Sequence, residues 1–294
     1  MVVTHLADDV LTIKYEAEKT FHMSKKPVIH ALLLVFAGMA ALVLGDMLVS
    51  SLADTANGPL YRSVLRFMIG AAALAFLIRT GWGKASGVTR LTTTGKRWWW
   101  IAFLPLSFFL LANLAGVDWS SLRVTPGSLL AWIATNVSIG FVEESLYRGL
   151  LLFILLRAWG RTRSGLMAAC VVQALLFGSL HVLNLLGGAP LIPTIFNAVF
   201  ATIVGMAFGA AYAYSGSLWT CIVLHAAIDM AGSMEEAFGT VEHVAKTVEH
   251  VAKESQSLSV FIPSLVVIVF VSLLPSVWFA YRSDLHQEND STTA

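Results

Sequence analysis

Glu143-Glu144-Ser145-Leu146-Tyr147-Arg148 places two carboxylates and a guanidinium inside a segment otherwise apolar enough to cross a bilayer. Residues 128–142 carry no charge, and residues 149–156 read GLLLFILL. An ionised group at bilayer depth costs about 2.5–3.5 kcal/mol or more, so intramembrane charge needs a partner or a task. Residues four apart share a helix face, which lets Glu144 reach Arg148 in the favourable order and directs Glu143 elsewhere. Glu144 and Arg148 are therefore expected to be a supporting pair, with Glu143 left for chemistry.

Two further apolar stretches carry polar residues at one-turn spacing. Phe177-Gly-Ser-Leu-His181 puts an aromatic ring one turn before an imidazole, and His225-Ala-Ala-Ile-Asp229 puts a carboxylate one turn after one. A single intramembrane histidine is explained by an interhelical hydrogen bond worth about 0.6 kcal/mol. A free carboxylate, two imidazoles and a further acid on three helices exceed what such bonding requires. Two chemistries suit these residue types. Glu143 with His181 can hold and deprotonate a water for attack on a carbonyl, with His225 stabilising the oxyanion. Alternatively His181, His225 and Asp229 ligate zinc and leave a position open for water. The chain contains no HExxH helix motif.

The elements that must position these groups follow from composition. Of 294 residues, 57% are hydrophobic and 13% charged, against about 25% charged in ordinary soluble domains. The class is an all-α polytopic membrane bundle. Stretches of spanning length, about 20 residues each, fall at 28–52, 61–79, 98–117, 128–157, 164–186, 191–214, 217–234 and 259–281. Eight transmembrane helices are expected, forming one transmembrane domain over 28–282 between a polar segment 1–27 and a tail 283–294. Basic residues concentrate in alternate loops and place both termini in the cytoplasm, with Trp98, Trp99 and Trp100 as an interfacial anchor beside Lys96 and Arg97. The polar N-terminal segment does not have the layout of a cleaved signal peptide. A bacterial inner membrane suits this pattern.

Other features have plainer readings. Cys170 and Cys221 lie in apolar segments and are expected to pack, without a disulfide. Gly205 and Gly209 suggest close helix packing, and Asn136, Gln173 and Asn197 interhelical hydrogen bonds. The repeat VEHVAKT-VEHVAKE at 241–254 gives an amphipathic segment over 235–257, too short for a coiled coil. The net charge of +1 suggests no nucleic-acid partner. The expected partner on these grounds is the lipid bilayer.

Taken in order, Glu-Glu-x-x-x-Arg, Phe-x-x-x-His and His-x-x-x-Asp on the fourth, fifth and seventh helices resemble the CPBP family of intramembrane endopeptidases, also called ABI or type II CAAX prenyl proteases. The resemblance covers 143–229. It implies that Glu143 is the catalytic base, His181 its partner on the water, and His225 with Asp229 the oxyanion or accessory pair, with Arg148 structural; a metal-free reaction is expected, with zinc as the alternative. Many relatives carry Asn where this chain has Asp229, and an ionised carboxylate cannot donate to an oxyanion. Asp229 then is protonated, orients His225, or ligates a metal. The family implies prenylated C-terminal peptides as eukaryotic substrates and small peptides such as bacteriocins or pheromones in bacteria. Rival readings are a non-enzymatic immunity or scaffold protein and a proton-coupled transporter. The transporter reading lacks the duplicated halves with broken helices common in that class.

Overall fold

Apolar surface dictates the architecture. The computed structural model describes residues 27–52, 57–91, 97–240 and 258–280, and these fold into helices joined by short turns, with one isolated bridge between Leu122 and Gly239. Helix α1 spans Pro27–Leu52 and α2 Gly58–Arg79. A 3-10 turn, Trp99–Phe103, leads into α3, Leu104–Gly116. Helix α4, Pro126–Glu144, runs through a π-helical stretch, Ser145–Leu152, into α5, Phe153–Trp159. Helix α6, Arg163–Leu180, tightens into a 3-10 segment, His181–Gly187. Helices α7, Leu191–Ser215, and α8, Leu218–Gly232, complete the centre. The short α9, Met234–Phe238, and α10, Leu258–Ile268, follow.

Each of the eight apolar stretches expected from the sequence is helical. Six helical segments among the described residues are long and apolar enough to cross a membrane: Val28–Ser51, Gly58–Arg79, Trp99–Gly116, Arg163–Leu185, Leu191–Ser215 and Ile262–Ala280. The other two, α4 with its continuation and the shorter α8, are those that carry Glu143, Glu144 and Arg148 or His225 and Asp229. They lie against the long helices, with α4 packed on α2 and α8 and α6 packed on α7. The chain is a multi-pass helical membrane protein. Large apolar side chains such as Leu33, Leu44, Met47, Val64, Met68 and Phe270 cover the outside, as a hydrocarbon solvent permits. Lipid also offers no hydrogen bonds, so the backbone must satisfy itself by helices.

Local chemistry sets the boundaries. Thr125 caps α4 in a reciprocal capping box with Ser128, ahead of Pro126 at the first helical position. Thr162 caps α6 and Ser217 caps α8 through side-chain oxygens. The tight Ser-Gly-Ser turn between α7 and α8 depends on Gly216, which adopts φ +67°, a conformation that costs an L side chain about 1–2 kcal/mol.

Small residues bring the site helices into backbone contact. A Cβ on Gly140 of α4 would lie 2.8 Å from the Ala226 amide nitrogen of α8, and one on Gly178 of α6 would lie 2.6 Å from the Ala198 carbonyl of α7. Gly205 and Gly209 are the close-packing positions anticipated from their spacing: Gly205 receives the Phe177 ring and Gly209 the Gln173 amide. The repeat at 241–254, and with it most of the amphipathic segment 235–257, lies outside the described residues, as do 1–26 and 281–294.

Because Gly140 meets backbone atoms that cannot rotate away, Gly140→Ala should push α8 off α4. The expected cost is about 1–3 kcal/mol, read as a lowered thermal unfolding midpoint in detergent, whereas Gly127→Ala, where nothing lies within 4 Å, should leave the midpoint within experimental scatter.

Candidate active site

The Glu144 carboxylate is fully buried and serves two helices. Its Oε1 accepts from Arg148 Nη1 at 2.7 Å and from His225 Nδ1 at 2.6 Å. The first bond is the pair foreseen from the four-residue spacing, and both side chains are wholly excluded from solvent. The second was not foreseen, because it crosses from α4 to α8. Arg148 also donates from Nη2 to the Gly205 carbonyl at 3.2 Å, and its guanidinium lies over Phe177 at 4.7 Å and Phe208 at 5.0 Å. Aromatic faces and a carbonyl thus take the place of hydration around a buried cation.

Between Glu144 and Arg148 the helix widens into the π-helical stretch, whose eight residues are all buried. Single-turn π-bulges recur at functional sites because they re-aim side chains that a regular α-helix would fix. Sequence spacing gave no sign of it. Glu143, in the regular helix just before this stretch, was expected to point away from Arg148 and makes no ion pair with it among the described residues. Glu143 Oε2 stands 3.6 Å from His225 Nε2, so adjacent glutamates approach opposite nitrogens of one imidazole.

His225 is the hub of the site. Since Glu144 is an acceptor, Nδ1 must carry the proton of that bond. At Nε2 the ring faces Asp229 Oδ2 at 3.5 Å as well as Glu143. Phe208 stacks on it with centroids 5.2 Å apart, and Phe177 meets it edge-on at 6.2 Å. Exposure grades outward from this centre: Glu144 and Arg148 are sealed, whereas the Glu143 and Asp229 side chains are 26% and 29% exposed. Glu143 and Asp229 are thus the carboxylates of the cluster that reach its surface.

His181 follows α6 at the start of its 3-10 extension. Its Nδ1 donates to the Phe177 carbonyl at 3.2 Å, which leaves Nε2 as an acceptor. Phe177 touches both imidazoles edge-on and Tyr147 on another side at 5.0 Å. The aromatic wall expected from the Phe177–His181 spacing therefore stands between the two histidines. No hydrogen bond joins His181 directly to Glu143 among the described residues.

Supporting polar contacts tie α4 to α8. Ser233 accepts from Trp132 Nε1 and Asn136 Nδ2, each at 3.1 Å, and donates to the Asp229 carbonyl at 2.7 Å. Asn136 thus makes the interhelical bond anticipated for it. Gln173 does not: it is fully buried beside Gly209, and neither of its polar side-chain atoms has a partner among the described residues. Cys170 and Cys221 are buried and free, as expected.

Zinc does not fit this arrangement. Among the described residues no three His, Cys, Asp or Glu side chains are gathered as a metal-ligand set. Glu143 and Asp229 stand at His225 Nε2, His225 Nδ1 is committed to Glu144, and His181 Nδ1 to the Phe177 carbonyl.

Residues 125–231 match the family model described as type II CAAX prenyl endopeptidase Rce1-like. No curated protein and no solved structure matches the chain. The matched segment contains all three motifs and every residue of the His225 cluster, and it leaves α1, α2 and α3 outside. Over residues 125–231, then, the chain carries a domain of the Rce1-like type II CAAX prenyl endopeptidase family, the group of intramembrane proteases that its motifs resemble.

Proposed function

We propose that this protein is an intramembrane endopeptidase in which Glu143 activates water and the His225 cluster organises the transition state. The observation that supports the reading best is the convergence of Glu143, Glu144 and Asp229 on one imidazole, with only Glu143 and Asp229 partly exposed.

In the proposed reaction, a water held between Glu143 and His181 Nε2 attacks the scissile carbonyl carbon. Glu143 takes one water proton as the new C–O bond forms, and the carbonyl oxygen becomes an oxyanion. His225, protonated at both nitrogens and surrounded by compensating carboxylates, donates Nδ1–H to Glu144 and offers Nε2–H to the oxyanion. Collapse of the tetrahedral intermediate breaks the C–N bond, and Glu143 returns its proton to the leaving amine. Water enters, an acid and an amine leave, and the enzyme ends as it began. Asp229 holds the Nε2 proton toward the site as an acceptor. In this role the carboxylate found here serves where a donor amide would have to act on the oxyanion directly. Arg148 and Glu144 act through His225 by fixing its ring, and no metal is required.

The substrate class is a membrane-associated peptide, with a prenylated C-terminal peptide the form the matched family suggests. The protein is proposed to reside in a bacterial plasma membrane with both termini cytoplasmic, as its basic loops indicate.

Cleavage of a quenched fluorescent peptide by purified protein in detergent tests the chemistry. Glu143→Gln should lower kcat by between about 100-fold and 10,000-fold, His181→Ala by about 100-fold, and a zinc chelator should leave the wild-type rate unchanged. Chelator-sensitive turnover would sink the metal-free mechanism, and cleavage undiminished in Glu143→Gln would remove Glu143 as the base.

The buried ion pair makes a separate prediction. Glu144→Leu or Arg148→Met alone strands a buried charge and should cost about 3–5 kcal/mol. The double variant should recover part of that stability yet remain impaired in turnover, since His225 has lost its anchor. A thermal-unfolding double-mutant cycle run beside the peptide assay checks both halves.

A further inference from the structure

Outside the matched domain, α1 and α2 hold a group of charges that the proposed mechanism does not use. Asp46 of α1 faces two guanidiniums of α2: Arg62 Nε at 3.8 Å and Arg66 Nη2 at 3.7 Å. Neither distance is a hydrogen bond. Arg62 has one elsewhere, from Nη2 to Ser50 Oγ at 2.7 Å. Arg66 makes none among the described residues, so its fork of donors is uncommitted, although its side chain is only 17% exposed. It lies about 12 Å along α2 from the start of the helix at a rise of about 1.5 Å per residue, inside a segment of membrane-spanning length. A cation so placed marks a functional position by default.

Helix packing brings this guanidinium to the catalytic carboxylate. Next to Arg66, Phe67 meets Phe141 of α4 with ring centroids 5.5 Å apart. One turn on, a Cβ at Gly70 would lie 3.2 Å from Val142 Cα. Residues 66–70 are therefore pressed against the turn of α4 that ends at Glu143, and Arg66 and Glu143 are within electrostatic range of each other. One carboxylate, Asp46, answers two arginines, which leaves an excess of one positive charge in this group of three.

We propose that Arg66, steadied by Asp46, is a specificity-determining residue that binds a carboxylate of the peptide substrate beside the scissile bond. The proposal rests on the endopeptidase reading above. A guanidinium with free donors accepts a carboxylate in a bidentate fork, and in a partly buried site that bond is among the stronger polar contacts. The carboxylate is either the free C-terminus of the substrate or an acidic side chain near the cut.

The test uses the full-length protein in detergent and a quenched fluorescent peptide ending in an S-farnesyl cysteine followed by three apolar residues. It is made as the free acid, as the C-terminal amide, and as the amide with one internal Glu. Wild-type kcat/KM should favour the acid over the plain amide by about ten-fold or more, chiefly through KM. Recovery of the rate by the internal Glu would identify a side-chain carboxylate as sufficient, and its failure the C-terminus; either assignment supports the site. In Arg66→Gln the acid-to-amide ratio should collapse toward one, and in Arg66→Lys it should be intermediate, while Arg62→Gln should retain it.

A ratio near one in wild type overturns the proposal, as does an unchanged ratio in Arg66→Gln with both rates lowered together. The latter result would mean that Arg66 serves only Glu143. Failure of the endopeptidase reading is read separately. If wild type cleaves none of the peptides, fluorescence anisotropy of the acid and amide forms, unquenched, on wild type and Arg66→Gln decides the matter. Tighter binding of the acid that disappears with Arg66 supports the carboxylate site without turnover, and equal binding, or none, overturns it.

Discussion

A buried carboxylate that must satisfy two donors on different helices governs this structure. Glu144 cannot be left alone at the centre of an apolar bundle, and neither can Arg148, because each would carry an uncompensated charge. Their bond lies within one continuous helix. The bond from the same oxygen to His225 lies between helices, and it fixes where α8 can stand relative to α4. Gly140, which lets Ala226 approach to backbone contact, is the steric counterpart of that electrostatic demand. Remove the glycine's freedom and the hydrogen bond has no room to form.

From this constraint the rest of the site follows. Arg148 needs acceptors or aromatic faces around its guanidinium: the Gly205 carbonyl accepts from Nη2 and the Phe177 and Phe208 rings lie against it, while Nε makes no hydrogen bond among the described residues. Those residues come from α6 and α7, which approach closely through Gly178 and Gly205. Phe177 then contacts both histidines, so the residue that shields the buried cation also packs against the two imidazoles. The charge pattern is layered, with a sealed inner pair, a hub at His225 and outer carboxylates with some access to their surroundings. That layering separates the groups that hold the site from the groups proposed to act in it. Helices α1 and α2 add a second charged group, Asp46 with Arg62 and Arg66.

The sequence alone determined the class and most of the site's membership. Eight apolar stretches are helices because hydrocarbon leaves the backbone no other way to satisfy itself, and their length and composition are local properties. Glu144 and Arg148 were legible as a pair because a four-residue spacing is itself a geometric statement. His225 and Asp229 were legible for the same reason, and the 3.5 Å between them agrees with it. Phe177 beside His181 belongs to the same kind of reading. The tertiary structure decided everything that passes between helices. That Glu143 and Glu144 share one histidine, that Phe208 stacks on it, that Gln173 lacks the partner expected for it and that α4 widens at Ser145–Leu152 depend on how helices distant in sequence abut. Helical periodicity fixes which side chains share a face of one helix, but which faces meet is set by the packing of small residues and the pairing of buried charge across the whole bundle.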